Sequence, residues 1–435
     1  SRSSLLVGHK LLHVWKENAV ARNSVYRNVL LALFASVAQL PGNVFAQVPD
    51  KLPQAPDYHG EIRRGADGKL MALPASAPAA KNRAGDGAPK STMVVGSGEK
   101  ITTLTEAARL AKDGEVIEIR PGNYRGQPAI WTQKDLVIRG IGERPVMLAD
   151  GQSAEGKAIW VVRGGNIRSE IVEFRGARVA DGNGAGIRFE KGHLTVHACR
   201  FADNEMGILT ANSADLSLEI SDSEFVNAPR HEGQLHHLLY VGAIGKFVLR
   251  GSRFQNGYLG HLVKSRAREN HVLYNMLADG NEGRASYELE FPNGGVAYVI
   301  GNVIGQSAGT DNPSIISYGA EGQRWPENAL YLVHNTLVND MHAGSFLTVQ
   351  NEKFPVGIEV WAINNLTVGN GNFFQPAQGR FEGNRSASRA ELIEYGRLPS
   401  RLTTVSPLRG SVRSPGSAGV VDLMPNAEFT YPVGS

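Results

Sequence analysis

The sequence predicts an all-β chain wound as a parallel β-helix, and three observations carry that reading. A triplet recurs at Val172-Glu173-Phe174, Cys199-Arg200-Phe201, Ser223-Glu224-Phe225, Ser252-Arg253-Phe254, Asn275-Met276-Leu277, Asn302-Val303-Ile304, Asn335-Thr336-Leu337 and Asn364-Asn365-Leu366. Successive copies are 23 to 33 residues apart, and the third residue is always Phe, Leu or Ile. A second set has an apolar centre: Arg188-Phe189-Glu190, Ile208-Leu209-Thr210, Leu238-Leu239-Tyr240, Leu262-Val263-Lys264, Glu288-Leu289-Glu290, Ile315-Ile316-Ser317 and Phe346-Leu347-Thr348. Third, 50 Gly and 21 Pro in 435 residues, with few long helical patterns, favour a turn-rich β architecture. Two short strands per unit of this length mark a solenoid, in which each coil buries its apolar face on its neighbours. Leucine-rich repeats share the period, but their consensus is absent.

Taken in order, residues 1–46 read as a secretory signal region. Arg22 and Arg27 precede the apolar run 29–38, and Val44-Phe45-Ala46 offers small residues for cleavage after Ala46. The run is too short to span a bilayer, so the mature chain is expected in the periplasm or outside the cell with no stable membrane span. Residues 47–91 are rich in Pro, Ala, Gly and charge and predict a disordered linker. The β-helix is expected over 92–374. Thr103 and Glu106 have capping-box spacing before Ala107, Ala108, Leu110 and Ala111, a short helix suited to covering the open first coil. The longer units place insertions at 227–234 and 319–328, the latter with Glu321, Arg324 and Trp325, where they would wall a binding face. Residues 375–435 read as a C-terminal cap or tail with a short helix over 389–395.

The centred triplets locate a candidate site within residues 237–293. An apolar middle residue that points inward forces its neighbour outward. Tyr240, Lys264 and Glu290 then form adjacent steps of one exposed ladder about 4.8 Å apart. The opposite phase would bury Lys264 and Glu290 at several kcal/mol each if unpaired. His237, His261, Arg266, Arg268, Glu288 and Asn293 lie close in sequence. Imidazoles on neighbouring coils could share a transition metal, yet no metal-binding spacing accompanies them; proton donation at the site edge is the alternative. Tyr287 and Tyr318 have the parity of core residues.

A net charge of +3 does not point to nucleic acid, while a local basic face would attract an acidic polymer. The single cysteine, Cys199, excludes an intrachain disulfide and reads as an inert buried thiol. A monomer is expected.

Residues 94–225, with "DGNGAGIR" and "NEMGILT", and the later "GHLVKSRAREN" and "SYELEFPNGG", resemble secreted proteobacterial proteins of the right-handed parallel β-helix, pectate-lyase-like superfamily. That resemblance implies a right-handed coil. Lys264-Ser265, Asn270 and Asn275 are also similar to part of a motif of the chondroitinase B and alginate lyase family, polysaccharide lyase family 6. In that family the lysine is the proposed base, an arginine assists, and calcium neutralises the substrate acid. Here Glu290 falls where the arginine is expected and His261-Leu262-Val263 replaces acidic residues, so calcium lacks its usual ligands.

The resemblance implies an acidic polysaccharide as substrate and β-elimination as chemistry. Elimination needs a group to neutralise the carboxylate, a base and a proton donor. Arg266 and Arg268 suit the first role, Lys264 the second, and Tyr240 or a histidine the third. Glu288 and Glu290 as an acid/base pair for glycoside hydrolysis are the alternative, both expected on one strand face. A non-catalytic carbohydrate-binding or export protein, a plain structural solenoid, and a surface Lys264–Glu290 pair of little energetic weight complete the readings.

Overall fold

The computed structural model describes residues 93–231, 233–373, 379–395, 398–430 and 433. The signal region and linker expected over 1–91 lie outside them. Among the described residues the coils build three parallel sheets of twelve, ten and eleven strands, each strand pairing with its equivalents one coil before and after. The fold is the predicted parallel β-helix. Winding runs from Met93–Val95 to Arg385–Ser386, past the expected boundary at 374. The helix Leu104–Leu110 covers the first coil: Thr103 accepts from the Glu106 N–H, and Leu104, Ala107 and Ala108 are buried. Leu110, expected on its apolar face, is exposed instead. In the tail the expected helix is a short 3-10 turn, Arg389–Glu391, followed by the strand Leu392–Tyr395. No helix among the described residues is long and apolar enough to cross a membrane.

The ten-stranded sheet carries the centred triplets. Leu239, Val263, Leu289, Ile316 and Leu347 pair in register, and all are fully buried. At the N-terminal coils the expected register slips. Ile208, not Leu209, pairs with Leu239, and Ile187, not Phe189, pairs with Ile208. Leu209 therefore faces outward beneath Tyr240, and Arg188 takes the outer position expected for Glu190. Phe189 still points inward, two residues along from Ile187. Both neighbours at 208–209 are apolar, so alternation alone left the phase undetermined.

Two stacks hold the coils in phase inside the solenoid. Phe174, Phe201, Phe225 and Phe254 lie nearly parallel with centroids 4.6–5.0 Å apart. Beside them runs a buried polar ladder: the backbone N–H groups of Cys199, Ser223, Ser252, Asn275, Asn302, Asn335 and Asn365 donate to the side-chain oxygens of Ser223, Ser252, Asn275, Asn302, Asn335, Asn365 and Asn384. The later rungs are asparagines, and the last of the aligned triplets is one residue out: Asn365, not Asn364, follows Asn335 in the ladder, and Leu366 pairs with Thr336. Asn364 has a positive φ of 57° and forms the turn just before the rung. Burial pushes the Cys199 thiol up to about 11, in keeping with an inert residue.

The interior also holds two acids. Glu288, expected on the outer face with Glu290, is fully buried, and neither of its oxygens has a hydrogen-bond partner. The strand here is only Leu289–Phe291, so Glu288 belongs to the preceding turn, where strand alternation no longer applies. Burial, reinforced by nearby Asp279, pushes the Glu288 carboxyl well above the usual range. Burial pushes Asp279 up to about 7 against the pull of N–H groups from Ala285 and Gly257.

Two tests follow from this core. Leu239→Ala or Leu289→Ala should destabilise the fold by about 2–5 kcal/mol, whereas Thr348→Ala on the outer column should lower the melting temperature far less. The acid pair gives a pH signature. Upward shifts mean that the folded chain keeps protons the unfolded chain has released, so the Asp279 part of stability should fall as pH rises from about 3.8 to about 7. Glu288, raised well above its ordinary range, adds to the fall in the same direction. Carboxylates held low, such as Glu290, act only at more acidic pH and in the opposite direction. Glu288→Leu should raise the urea midpoint at pH 8 and shrink that fall; an unchanged profile would contradict the assignment.

Candidate functional site

The outer column of the ten-stranded sheet reads Arg188, Leu209, Tyr240, Lys264, Glu290, Ser317 and Thr348, in register throughout. Tyr240, Lys264 and Glu290 are adjacent steps, as the sequence predicts, but the ladder is not the exposed one expected. Glu290 is buried and Tyr240 and Lys264 are half-buried, because His261 and the insertion carrying Glu321 pack over them. Lys264 Nζ lies 3.3 Å from Glu290 Oε2. It also lies 3.2 Å from Oε1 of Glu321, which the sequence reading placed in an insertion but not in the site. Arg266 grips the Glu321 carboxylate with two nitrogens and donates to the Tyr240 hydroxyl. Its guanidinium sits 5.0 Å from the Tyr240 ring centroid.

The insertion 319–328 brings Glu321 here. Gly319, Glu321 and Arg324 donate N–H groups to the carbonyls of Phe291, Pro292 and Asn293, and the Trp325 indole donates to the Arg266 carbonyl. Gly319 and Gly322 flank Glu321 with φ of +87° and +84°, which a side chain would strain. Asn293 thereby anchors the loop, with its amide also reaching the Gly322 carbonyl, rather than facing the ladder as a binding group. Glu321 was legible only as an acidic residue in a long unit, because nothing local in sequence says where a loop tip lands.

The histidines form a second, inner row. The His261 N–H donates to His237 Nδ1 at 2.8 Å, and the Tyr287 N–H donates to His261 Nδ1 at 3.2 Å. With Nδ1 accepting, the proton of each neutral ring sits on Nε2. His261 Nε2 then faces Glu290 Oε2 at 3.0 Å. Burial, then the neighbouring His261 ring and the charges of Lys264 and Arg266, depress His237 well below its ordinary value, so it stays neutral. Burial alone would raise Glu290, but His261 and Lys264 outweigh it and hold the carboxyl low. The same balance, with Arg266 and Lys264 as the cations, keeps Glu321 ionised.

The remaining candidates are elsewhere. Arg268 is exposed on the next turn, where its charge acts on Glu269. Glu288 is inside. Tyr318 is fully buried as expected, whereas Tyr287 is half-buried against the His261 ring. Ser265 and Asn270 of the lyase-like motif bond to each other and brace the turn after Lys264, and Asn275 is a rung of the interior ladder. Among the described residues no group of three or more His, Cys, Asp or Glu side chains could hold a metal ion. The carboxylates of the site, Glu290 and Glu321, are committed to cations, so the residues do not fit calcium.

No protein-family model and no curated protein matches the chain. Among solved structures it is similar to pectate lyase Pel9A, at 13% identity and a TM-score of 0.48, over 79% of this chain and 98% of that one. It is also similar to a GH136 lacto-N-biosidase from Eubacterium ramulus, at 8% identity and a TM-score of 0.36, over 68% of each chain. A pectin methylesterase in complex with a hexasaccharide matches at 11% identity and a TM-score of 0.31, over 79% of this chain and all of that one. The assignment of the fold rests on the strand register, not on these likenesses.

Proposed function

We propose that the outer column binds the carboxylate of an acidic polysaccharide and cleaves the chain by β-elimination, in the periplasm or outside the cell. One observation carries this reading: the Lys264–Arg266 clamp already holds a carboxylate, that of Glu321. A guanidinium fork plus an ammonium is a carboxylate receptor, and Glu321 stands where a uronate would bind. The loop must yield that place to substrate.

In this scheme Arg266 and Lys264 neutralise the substrate acid and so ease removal of the adjacent proton. An ammonium ion-paired with two carboxylates has no lone pair for a C–H proton, so the base role moves from Lys264 to Tyr240. Arg266 at its hydroxyl would favour the ionised tyrosinate, which takes the C–H proton and becomes neutral, while the charge left on the substrate is met by Lys264 and Arg266. The neutral Tyr240 so formed can return its proton to the leaving oxygen, with the neutral His237 beside it as a hydrogen-bond donor from Nε2. Glu290 holds both Lys264 and His261 in place. The Glu288–Glu290 hydrolase pair is not available, because Glu288 is buried in the core. The arrangement of cations around Glu321 also supports a second reading, binding without turnover.

Purified protein should release unsaturated uronate from alginate, pectate or chondroitin, read by ultraviolet absorbance. Tyr240→Phe should lower turnover on the order of 10²–10⁴-fold while leaving binding intact. Arg266→Ala should chiefly weaken binding, since it removes pairing present in ground and transition states alike. Glu321→Gln should tighten binding of short uronate oligomers. Saturated products would sink the elimination scheme, and binding with no turnover by any variant would establish the non-catalytic reading.

A further inference from the structure

Beside the clamp, toward the N-terminal coils, lies a recess of about 340 Å³ that shares Tyr240 with the site. Its wall includes Arg188, Leu209, Asn183, Asn212, Lys157 and Asp181. We infer that this recess is a second carboxylate-binding subsite of the same groove, with Arg188 as its cation; the inference rests on the acidic-polymer reading above.

Register supplies the first argument. Arg188, Leu209, Tyr240 and Lys264 are consecutive steps of one outer column. Three steps of roughly 4.8 Å place Arg188 about 14 Å from Lys264 along the axis, a span of several sugar rings. A polymer lying along the column therefore meets a cation at each end. Leu209, only 7% exposed, lies between them as an apolar floor for the C–H face of a pyranose.

The second argument is the state of Arg188 itself. Its Nε is buried and has no hydrogen-bond acceptor. The nearest carboxylate, Glu190, is 3.7 Å away and is already engaged by Lys157 and Arg163 at 2.9 and 2.6 Å. Glu155 is likewise held by Lys157 and Arg163. Three cations thus share two carboxylates, and Arg188 is the one held most loosely. The carboxylate of Asp181 accepts from the Asn183 N–H. A guanidinium in a recess whose Nε lacks an acceptor, and whose paired carboxylate serves two other cations, is only loosely neutralised and favours an incoming anion.

The test is calorimetric titration of the whole protein with oligogalacturonates and oligoalginates of graded length. Affinity should step up once an oligomer is long enough to reach from Lys264 to Arg188. Arg188→Ala should abolish that step, weakening long oligomers about tenfold, as expected for one charge-assisted contact, and leave short ones unchanged. Asn183→Asp, which keeps Arg188 and adds a negative charge, should weaken the long oligomers too. Equal affinities for wild type and Arg188→Ala at every length, with Lys264→Ala still impaired, would overturn the subsite alone. If wild-type protein binds none of these oligomers, the acidic-polymer reading fails and the subsite fails with it.

Discussion

The interior rung of side-chain amides is the constraint on which the rest of the molecule depends. From Asn275 to Asn384 each asparagine oxygen accepts a backbone N–H from the coil before it. Its amide nitrogen donates to a backbone carbonyl, as Asn275 does to Leu249 and Asn302 to Val272. Asn275, Asn302, Asn335 and Asn365 are almost fully buried, and Asn384 at the end is half-buried. Leaving one without its partner costs on the order of 1–3 kcal/mol. A coil out of phase by a residue would orphan both ends of its rung, so the ladder fixes where every turn begins.

That fixed phase is what makes a site possible on the outside. Tyr240, Lys264 and Glu290 are held by strands of three residues whose backbones are locked to their neighbours. Their spacing cannot adapt to a ligand. Adaptation is left to the insertion 319–328, whose acidic tip is exposed and flanked by two left-handed glycines. A rigid wall and a loop that can yield divide the work: the wall sets which charges meet, and the loop sets whether they are free.

Much of the fold was legible because solenoid repeats state the same burial pattern many times. The column at Leu239, Val263 and Leu289 could be read because each has a polar or charged residue on at least one side. At Ile208 and Leu209 that contrast vanishes, and the register slipped. The doublet Asn364-Asn365 misled for a related reason: two identical residues, one a turn and one a rung. Glu288 was misread because a three-residue strand is too short to extend its alternation backwards. Of the site, the strand-borne members Tyr240, Lys264 and Glu290 were visible. Glu321 and Arg188 were not, the first because it arrives by a long loop and the second because it depended on the slipped register.

The ladder also has a direction. Each asparagine oxygen faces the preceding coil, and Asn275, Asn302, Asn335 and Asn365 pass an amide hydrogen to the oxygen of the next. Their dipoles therefore add along the axis, much as peptide dipoles add along an α-helix. A spliced or duplicated coil can enter this array in only one orientation, since a reversed one would set oxygen against oxygen. Growth of such a molecule by gain of whole coils is thus polar by construction, with every new rung reading the same way as the last.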